Sequence, residues 1–342
     1  MKKKILVVDD SAVIRRYLVK LFEQNGYEVE TAKDGYEALE KLQEGHFSLV
    51  TLDYEMPKKD GLETLKEIMS CCPTRVLMIS SFTTESADVT LEALSLGALD
   101  YVPKPSSSID IPKISDEILR KVRSILLIPR SKLLKQTASV SFVKDNDVTD
   151  VEMGFVLIGS STGGPRLIER ICKSLPKSYP HAVCVVQHMP PEFTANFARR
   201  LNSLSEVEVL EAQNDLKLQS GRVIIAKGGW HLHFRKKLKE YKVKLAPNTA
   251  NRFFVPSVDE MFFSAAEVLP AKKILAIELT GIGDDGADGM VELRKKGAYT
   301  IAESEESAIV YGMPKEAYER GGAQKVLAFD KIVEEILRYG KK

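Results

Sequence analysis

Cysteine is scarce in this chain of 342 residues: four occur, at Cys71, Cys72, Cys172 and Cys184. None forms a C-x-x-C pair, and this usage suits a reducing compartment rather than a disulfide framework. Long apolar runs are missing too; none approaches the roughly 20 residues that span a bilayer. The opening Met1-Lys2-Lys3-Lys4-Ile5-Leu6-Val7-Val8 has the outline of a signal peptide, but its apolar run stops at Asp9-Asp10, too short for an h-region. The expectation is a cytoplasmic protein without direct membrane insertion. An excess of either charge is also absent. The 49 Lys+Arg and 48 Asp+Glu leave a net charge of +1, which carries neither a nucleic-acid footprint nor an acidic tail. What remains is ordinary for a globular protein, with 44% hydrophobic and 28% charged residues. The length suggests two domains.

Two stretches alternate short β-branched runs with helical patterns. In the first, the strand candidates are Ile5–Val8, Glu28–Thr31, Leu49–Leu52, Arg75–Ile79 and Asp100–Val102. Amphipathic segments lie between them, such as Val13–Gln24, where Ile14, Leu18 and Leu21 recur at helical spacing. Five βα units in a row predict a parallel sheet covered by helices on both faces. From 127 to 150 the pattern breaks into polar, turn-rich sequence, read as a linker. From 151 the alternation resumes, with strand candidates Phe155–Ile158, Ala182–Gln187, Val207–Glu211, Val223–Ala226, Ile274–Leu279, Tyr299–Ala302 and Lys325–Leu327. His231–Phe234 and Tyr241–Leu245 flank a basic turn, Arg235 to Glu240, and read as an antiparallel hairpin inserted in a second doubly wound sheet. The expected fold class is therefore α/β, with two doubly wound parallel-sheet domains.

Acidic residues close the strands of the first half. Asp9 and Asp10 end the first strand and Asp53 the third; Ser80 ends the fourth, and Lys104 follows the fifth. In an open parallel sheet these positions meet at the carboxyl edge. Three carboxylates converging there repel one another and suit a hard divalent cation such as magnesium. Lys104 adds a positive charge and Ser80 a hydroxyl donor for a phosphoryl group, and Asp53 can accept that group as an acyl phosphate. Capping of the following helices is the plainer role for any one of these acids.

The residues Leu6-Val7-Val8-Asp9-Asp10-Ser11, Leu52-Asp53-Tyr54-Glu55-Met56-Pro57-Lys58-Lys59-Asp60-Gly61, Ile79-Ser80-Ser81 and Tyr101-Val102-Pro103-Lys104-Pro105 together resemble a response-regulator receiver domain over 1–126. The resemblance implies a flavodoxin-like fold and phosphorylation of Asp53 by a histidine kinase. It further implies magnesium held by Asp9, Asp10, Asp53 and the backbone carbonyl of Glu55, with Ser80 and Tyr101 as a switch pair beside Lys104.

The second half carries Gly159-Ser160-Ser161-Thr162-Gly163 directly after an apolar strand, with Pro165 opening a helix. A hydroxyl at such a turn is exposed at the positive end of a helix. Lacking the G-x-G-x-x-G spacing and a P-loop lysine, the turn is no phosphate cradle of those types. His188 ends a second strand before Pro190-Pro191, and Asp284-Asp285 follow a third. Serine, histidine and aspartate at three strand ends make a nucleophile, its base and the group that orients the base. Spacing leaves the carboxylate role open between Asp284 and Asp285. Backbone N–H groups at the helix start after Gly163-Gly164 are candidate oxyanion donors. The chain order Ser, His, Asp differs from the Ser, Asp, His of α/β-hydrolases. His231 and His233 are expected as surface hairpin residues, because no third metal ligand stands near them in sequence.

Together with Gln187-His188-Met189-Pro190, Pro256-Ser257-Val258-Asp259, Leu279 to Gly286 and Tyr311-Gly312-Met313-Pro314, this turn resembles the chemotaxis protein-glutamate methylesterase family. The resemblance implies a Rossmann-like catalytic domain over 151–342, with Ser161, His188 and Asp285 as the triad. It implies a phosphorylation-activated hydrolase that demethylates glutamate γ-methyl esters on chemoreceptors and also deamidates receptor glutamines. Ester hydrolysis then needs no cofactor, and magnesium serves only the receiver. The implied partners are the cytoplasmic helices of methyl-accepting receptors and the pathway's histidine kinase, with no nucleic acid, and the protein is expected as a monomer. Two positions depart from the family pattern, Ser160 and Asp284; the latter is expected to set an extra negative charge beside the triad. The alternative, a response regulator with a non-catalytic binding output domain, lacks the basic recognition helix it would need for nucleic acid.

Overall fold

The computed structural model describes residues 2–80, 84–104, 111–135 and 152–339. The chain divides into two compact units, Met1–Ala138 and Ser139–Lys342.

The first unit runs β1 (Lys4–Val8), α1 (Ala12–Gln24), β2 (Glu28–Ala32), α2 (Gly35–Glu44), β3 (Leu49–Leu52), α3 (Gly61–Cys71), β4 (Val76–Ser80), α4 (Thr84–Leu96), β5 (Asp100–Pro103), α5 (Ile111–Ile125) and α6 (Arg130–Lys135). Its sheet has the order β2-β1-β3-β4-β5, all parallel. The central strands are buried on both faces, which is why β1, β3 and β4 read as near-continuous apolar runs rather than alternating ones. Helix starts are fixed by polar caps: Asp34 accepts from the Glu37 N–H at 3.0 Å and Asp60 from that of Glu63 at 2.8 Å. Past α5 the chain stays on this unit, where the Ile128 carbonyl accepts from Arg75 Nε at 2.9 Å. Residues 136–150 of the expected linker lie outside the described residues.

The second unit runs β6 (Phe155–Ser160), α7 (Gly164–Ser174), β7 (Ala182–Gln187), α8 (Pro191–Leu204), β8 (Glu208–Glu211), β9 (Arg222–Ile225), β10 (His231–Lys237), β11 (Glu240–Ala246), α9 (Val258–Val268), β12 (Ile274–Glu278), α10 (Ala287–Lys295), β13 (Tyr299–Glu303), α11 (Met313–Glu319), β14 (Lys325–Leu327) and α12 (Phe329–Tyr339). Its sheet is parallel throughout, in the order β14-β13-β12-β6-β7-β9-β8. The chain winds outward from β6 in both directions, so the crevice between β6 and β12 is the topological switch point where such folds bind ligands. β10 and β11 form the expected hairpin, but Arg235, Lys236, Lys237 and Glu240 are paired within it, and the turn is only Leu238 and Lys239. A continuous apolar layer joins the sheet to α9 and α10 through Phe155, Leu157, Ala276, Met261, Phe262 and Met290.

Candidate functional site

β6, β7 and β12 end side by side at the switch point; Ser161 and His188 directly follow the first two, and Asp285 lies in the turn between β12 and α10. Ser161 is anchored through its backbone: its N–H donates to the Thr280 carbonyl at 2.9 Å, and its own carbonyl accepts from Gln187 Nε2 at 2.9 Å. The His188 N–H donates to the Ser160 carbonyl at 3.0 Å, which ties the β7 end to the β6 end. Gly163, with φ +81, turns the chain into α7, and a Cβ there would come within 2.8 Å of Ile309. Among the described residues, every hydrogen bond of Ser161 is made by its backbone.

His188 and Asp285 meet. His188 Nε2 lies 2.8 Å from Asp285 Oδ2, and the imidazole stacks on the Phe254 ring at 4.0 Å and 11°. With Nε2 carrying the proton that a carboxylate accepts, Nδ1 is left as the basic nitrogen; it is buried and, among the described residues, has no hydrogen-bond partner. Ser161 and His188 share the rim without a hydrogen bond between them, a contact that commonly forms only once substrate is bound.

Asp285 sits in a nest of donors at the start of α9. Its Oδ1 accepts from Ser257 Oγ at 2.7 Å and from the Asp259 N–H at 3.1 Å, and its Oδ2 from the Val258 N–H at 2.7 Å. Burial alone would raise its pKa, but His188, Ser257 and Val258 outweigh burial and hold it below the ordinary value of 3.8. The positive end of α9 works in the same direction. Asp285 is therefore a carboxylate throughout the pH range of enzyme action. Asp284 points outward, exposed and paired with Arg320 Nη2 at 2.5 Å. The expected extra negative charge beside the triad is thus turned away and neutralised.

Three other expectations are corrected or sharpened. Gly164 cannot serve as an oxyanion donor, since its N–H donates to the Ser161 carbonyl at 2.8 Å, and Pro165 has no N–H. Ser160 is fully buried and donates to Gln187 Oε1 at 2.7 Å, so of the two adjacent serines it is the one committed to scaffolding. His231 is no surface residue: it is 1% exposed, accepts the Ser257 N–H at Nδ1 (3.1 Å) and faces Asn248 Oδ1 at 3.2 Å. Its partner His233 is half-buried against Glu260. Ser257 and Gln187 stood in the motifs that carry the resemblance but were given no role, although the capping-box spacing Ser257-x-x-Glu260 marked the first. Sequence inspection missed Phe254, for which no local signal exists.

In the first unit, Asp9, Asp10 and Asp53 offer one carboxylate oxygen each within 4.8 Å of one another. Asp53 and Asp9 are buried, and Lys104 Nζ bridges them at 2.6 and 2.9 Å. Burial is the largest influence on Asp53 and pushes its pKa up to about 6 against the pull of Lys104. Its Oδ1 is buried without a hydrogen-bond partner. An unpaired buried carboxylate oxygen facing two further acids is the donor set of a hard cation. The Glu55 carboxylate is not part of this group and stands exposed in the turn after β3. Ser80 is buried at the end of β4 with its Oγ unpartnered, and Tyr101 is buried on β5 with Lys121 Nζ 5.1 Å from its ring centroid.

The chain matches the family model for CheB methylesterase over residues 156–336 and that for the response regulator receiver domain over residues 5–115. A protein-glutamate methylesterase/protein-glutamine glutaminase of Caldanaerobacter subterraneus subsp. tengcongensis is 44% identical over 357 aligned positions, covering 99% of this chain and 97% of that protein. A second relative of that description, from Carboxydothermus hydrogenoformans, is 42% identical and covers 98% of each chain. Among solved structures, the Thermotoga maritima CheB methylesterase catalytic domain aligns with TM-score 0.53 and 40% identity, over 55% of this chain and 99% of that one.

Proposed function

This chain belongs to the CheB methylesterase family, with a receiver domain at its amino-terminal end, and from that footing we propose how its residues carry out a phosphorylation-controlled hydrolysis. The protein is a protein-glutamate methylesterase with protein-glutamine glutaminase activity, and its substrates are glutamyl methyl esters and glutamines on the cytoplasmic helices of chemoreceptors. We assign 1–126 to the receiver, 127–150 to a linker and 151–342 to the hydrolase.

Ser161 Oγ attacks the ester carbonyl while His188 Nδ1 takes its proton. Asp285 fixes the tautomer through Nε2 and stabilises the imidazolium. Collapse of the tetrahedral intermediate breaks the C–O bond, and His188 returns the proton to the departing methanol. Water then attacks the acyl-serine with the same base and frees the glutamate; a glutamine amide follows the same course with ammonia as the leaving group. The observation that carries this reading is the His188–Asp285 bond, which leaves Nδ1 buried and, among the described residues, unpaired at the rim where β6 and β7 end. The test is methanol release from methylated receptor membranes, measured with and without a small phosphodonor.

Its pH dependence follows from the charge of Asp285. Because that carboxyl is held below 3.8, Asp285 is expected to add no acid limb of its own to kcat/KM until far lower pH, so the fall on acidification reports the base alone. A pH-rate profile checks this; a rate that stays flat well into acid points to a different base.

Asp53 is the proposed phosphoacceptor. Asp9, Asp10, Asp53 and the Glu55 carbonyl would hold magnesium, whose charge supports phosphoryl transfer from the pathway's histidine kinase. Lys104 neutralises the resulting phosphate, and Ser80 and Tyr101 relay its presence. Asp53→Asn is expected to abolish stimulation by phosphodonor and leave the basal esterase rate within about twofold, since Asp53 belongs to the other compact unit and takes no part in the ester chemistry. Stimulation that survives would place the phosphate elsewhere.

A further inference from the structure

Glu278 ends β12 fully buried, and among the described residues neither of its carboxyl oxygens has a hydrogen-bond partner. Strand alternation puts it on the face where Ile274 and Ala276 pack against α9 and α10. Two glycines make its space. A Cβ at Gly159 would lie 2.7 Å from Oε1, a Cβ at Gly286 2.2 Å from Oε2, and Val258 Cγ1 crowds both positions at 2.4 and 2.8 Å. All three neighbours adjoin the catalytic machinery. Gly159 leads into Ser160-Ser161, Gly286 follows Asp285, and Val258 donates its N–H to Asp285.

The charged groups that act on Glu278 are both acids, Asp285 from the turn before α10 and Asp259 from α9. β6 presents Gly159 and Ser160. On β13 the residue in register is Ala302, while Glu303 alternates to the other face and accepts the Thr280 N–H at 2.9 Å. Among the described residues, no cation reaches it. An ionised carboxylate here would have neither donors nor counter-charge, and its desolvation cost excludes it. Burial, then Asp285 and Asp259, push its pKa well above the ordinary 4.5.

We propose that Glu278 is a positioning residue of the hydrolase site that works as an un-ionised acid, an uncharged prop that fills the space beneath the Gly159 and Gly286 turns and holds Asp285 against the start of α9. The negative charge beside His188 then belongs to Asp285 alone. This inference rests on the reading of Asp285 as the triad carboxylate, but its folding consequence does not. The folded chain keeps a proton on Glu278 that the unfolded chain surrenders above about pH 4.5. The stability tied to that proton is complete below that pH and drains away as pH rises towards the folded-state value.

The test is urea unfolding of the full chain from pH 5 to 9, followed by the fluorescence of Trp230, the single tryptophan, which lies in the second unit. Wild type is compared with Glu278→Met, which nearly conserves volume, and with Glu278→Gln, which is uncharged at every pH. The folding constant of wild type relative to either variant is expected to fall as pH rises from 5, by up to about tenfold per pH unit until the folded-state value is reached. Both variants are expected to keep kcat/KM within about threefold, with an unmoved acid limb, whereas Glu278→Ala, which leaves a cavity under the turn, lowers kcat by at least roughly tenfold. A relative stability independent of pH overturns the proposal, because Glu278 is then ionised when folded. An acid limb that shifts by about a unit in Glu278→Gln, or wild-type kcat in Glu278→Ala, overturns it as well. The Ser161→Ala result decides the triad separately, so failure of one reading is distinguishable from failure of the other.

Discussion

Replacing Ser161 with alanine is expected to lower methanol release from methylated receptor membranes by at least about 1,000-fold. The protein should fold unchanged, because everything that anchors residue 161 is backbone: its N–H on Thr280, and its carbonyl on Gln187 and Gly164. The hydroxyl itself holds nothing in place, which is the condition of a nucleophile free to react. Ser160→Ala is the control. It deletes a buried hydrogen bond to Gln187, loosens the amide that carries Ser161, and is expected to cost about tenfold while leaving the chemistry running. If Ser160→Ala were the dead enzyme and Ser161→Ala the slowed one, the roles would have to be exchanged.

Asp285→Asn is expected to cost about 1,000- to 10,000-fold in kcat, with little change in KM. Four donors converge on the two oxygens of Asp285, from His188, Ser257, Val258 and Asp259. A carboxylate satisfies all of them. An asparagine amide has one oxygen and one NH2 group, so whichever way it turns it points N–H at N–H or O–H on one side. If its nitrogen faces His188, the ring must present a lone pair at Nε2, and Nδ1 then carries the proton and cannot take one from Ser161. If its oxygen faces His188, the donors sharing Oδ1 lose their acceptor and the turn is pushed off α9. Kinetics of the variant together with its thermal stability separate the two. A variant with wild-type kcat would remove Asp285 from the mechanism.

Much of this architecture is legible in the chain because parallel sheets bury both faces of their strands. β1, β3, β4, β6, β7 and β12 stand out as short apolar runs, and the polar residues just past their ends draw the eye. Asp9, Asp53, Ser161 and His188 could be picked out for that reason, and Asp285 from the turn that follows β12. The helix starts at Pro165 and Pro191 were equally plain from their prolines. What could not be read is contact between residues distant in sequence. The choice between Asp284 and Asp285 turns on Arg320, which draws the first outward, and on the α9 N-terminus, which receives the second. His231 was expected at the hairpin surface because no third metal ligand stands near it in sequence; its burial follows from its contacts with Ser257 and Asn248, which are distant in sequence. Glu278 was hidden by its neighbours. One acid in the run Ile274–Leu279 looks like an ordinary strand terminus until the glycines facing it are known.

The central claim is that Ser161 is the hydroxyl activated by the His188–Asp285 pair. Its most direct test is the reaction of the full-length protein with a serine-directed fluorophosphonate, followed by mass-spectrometric mapping of the modified peptide in wild type and His188→Gln. The account predicts a single adduct on Ser161 that forms readily in wild type and is suppressed when the imidazole is removed. An adduct on Ser160, or labelling of Ser161 at the same rate without His188, would contradict it.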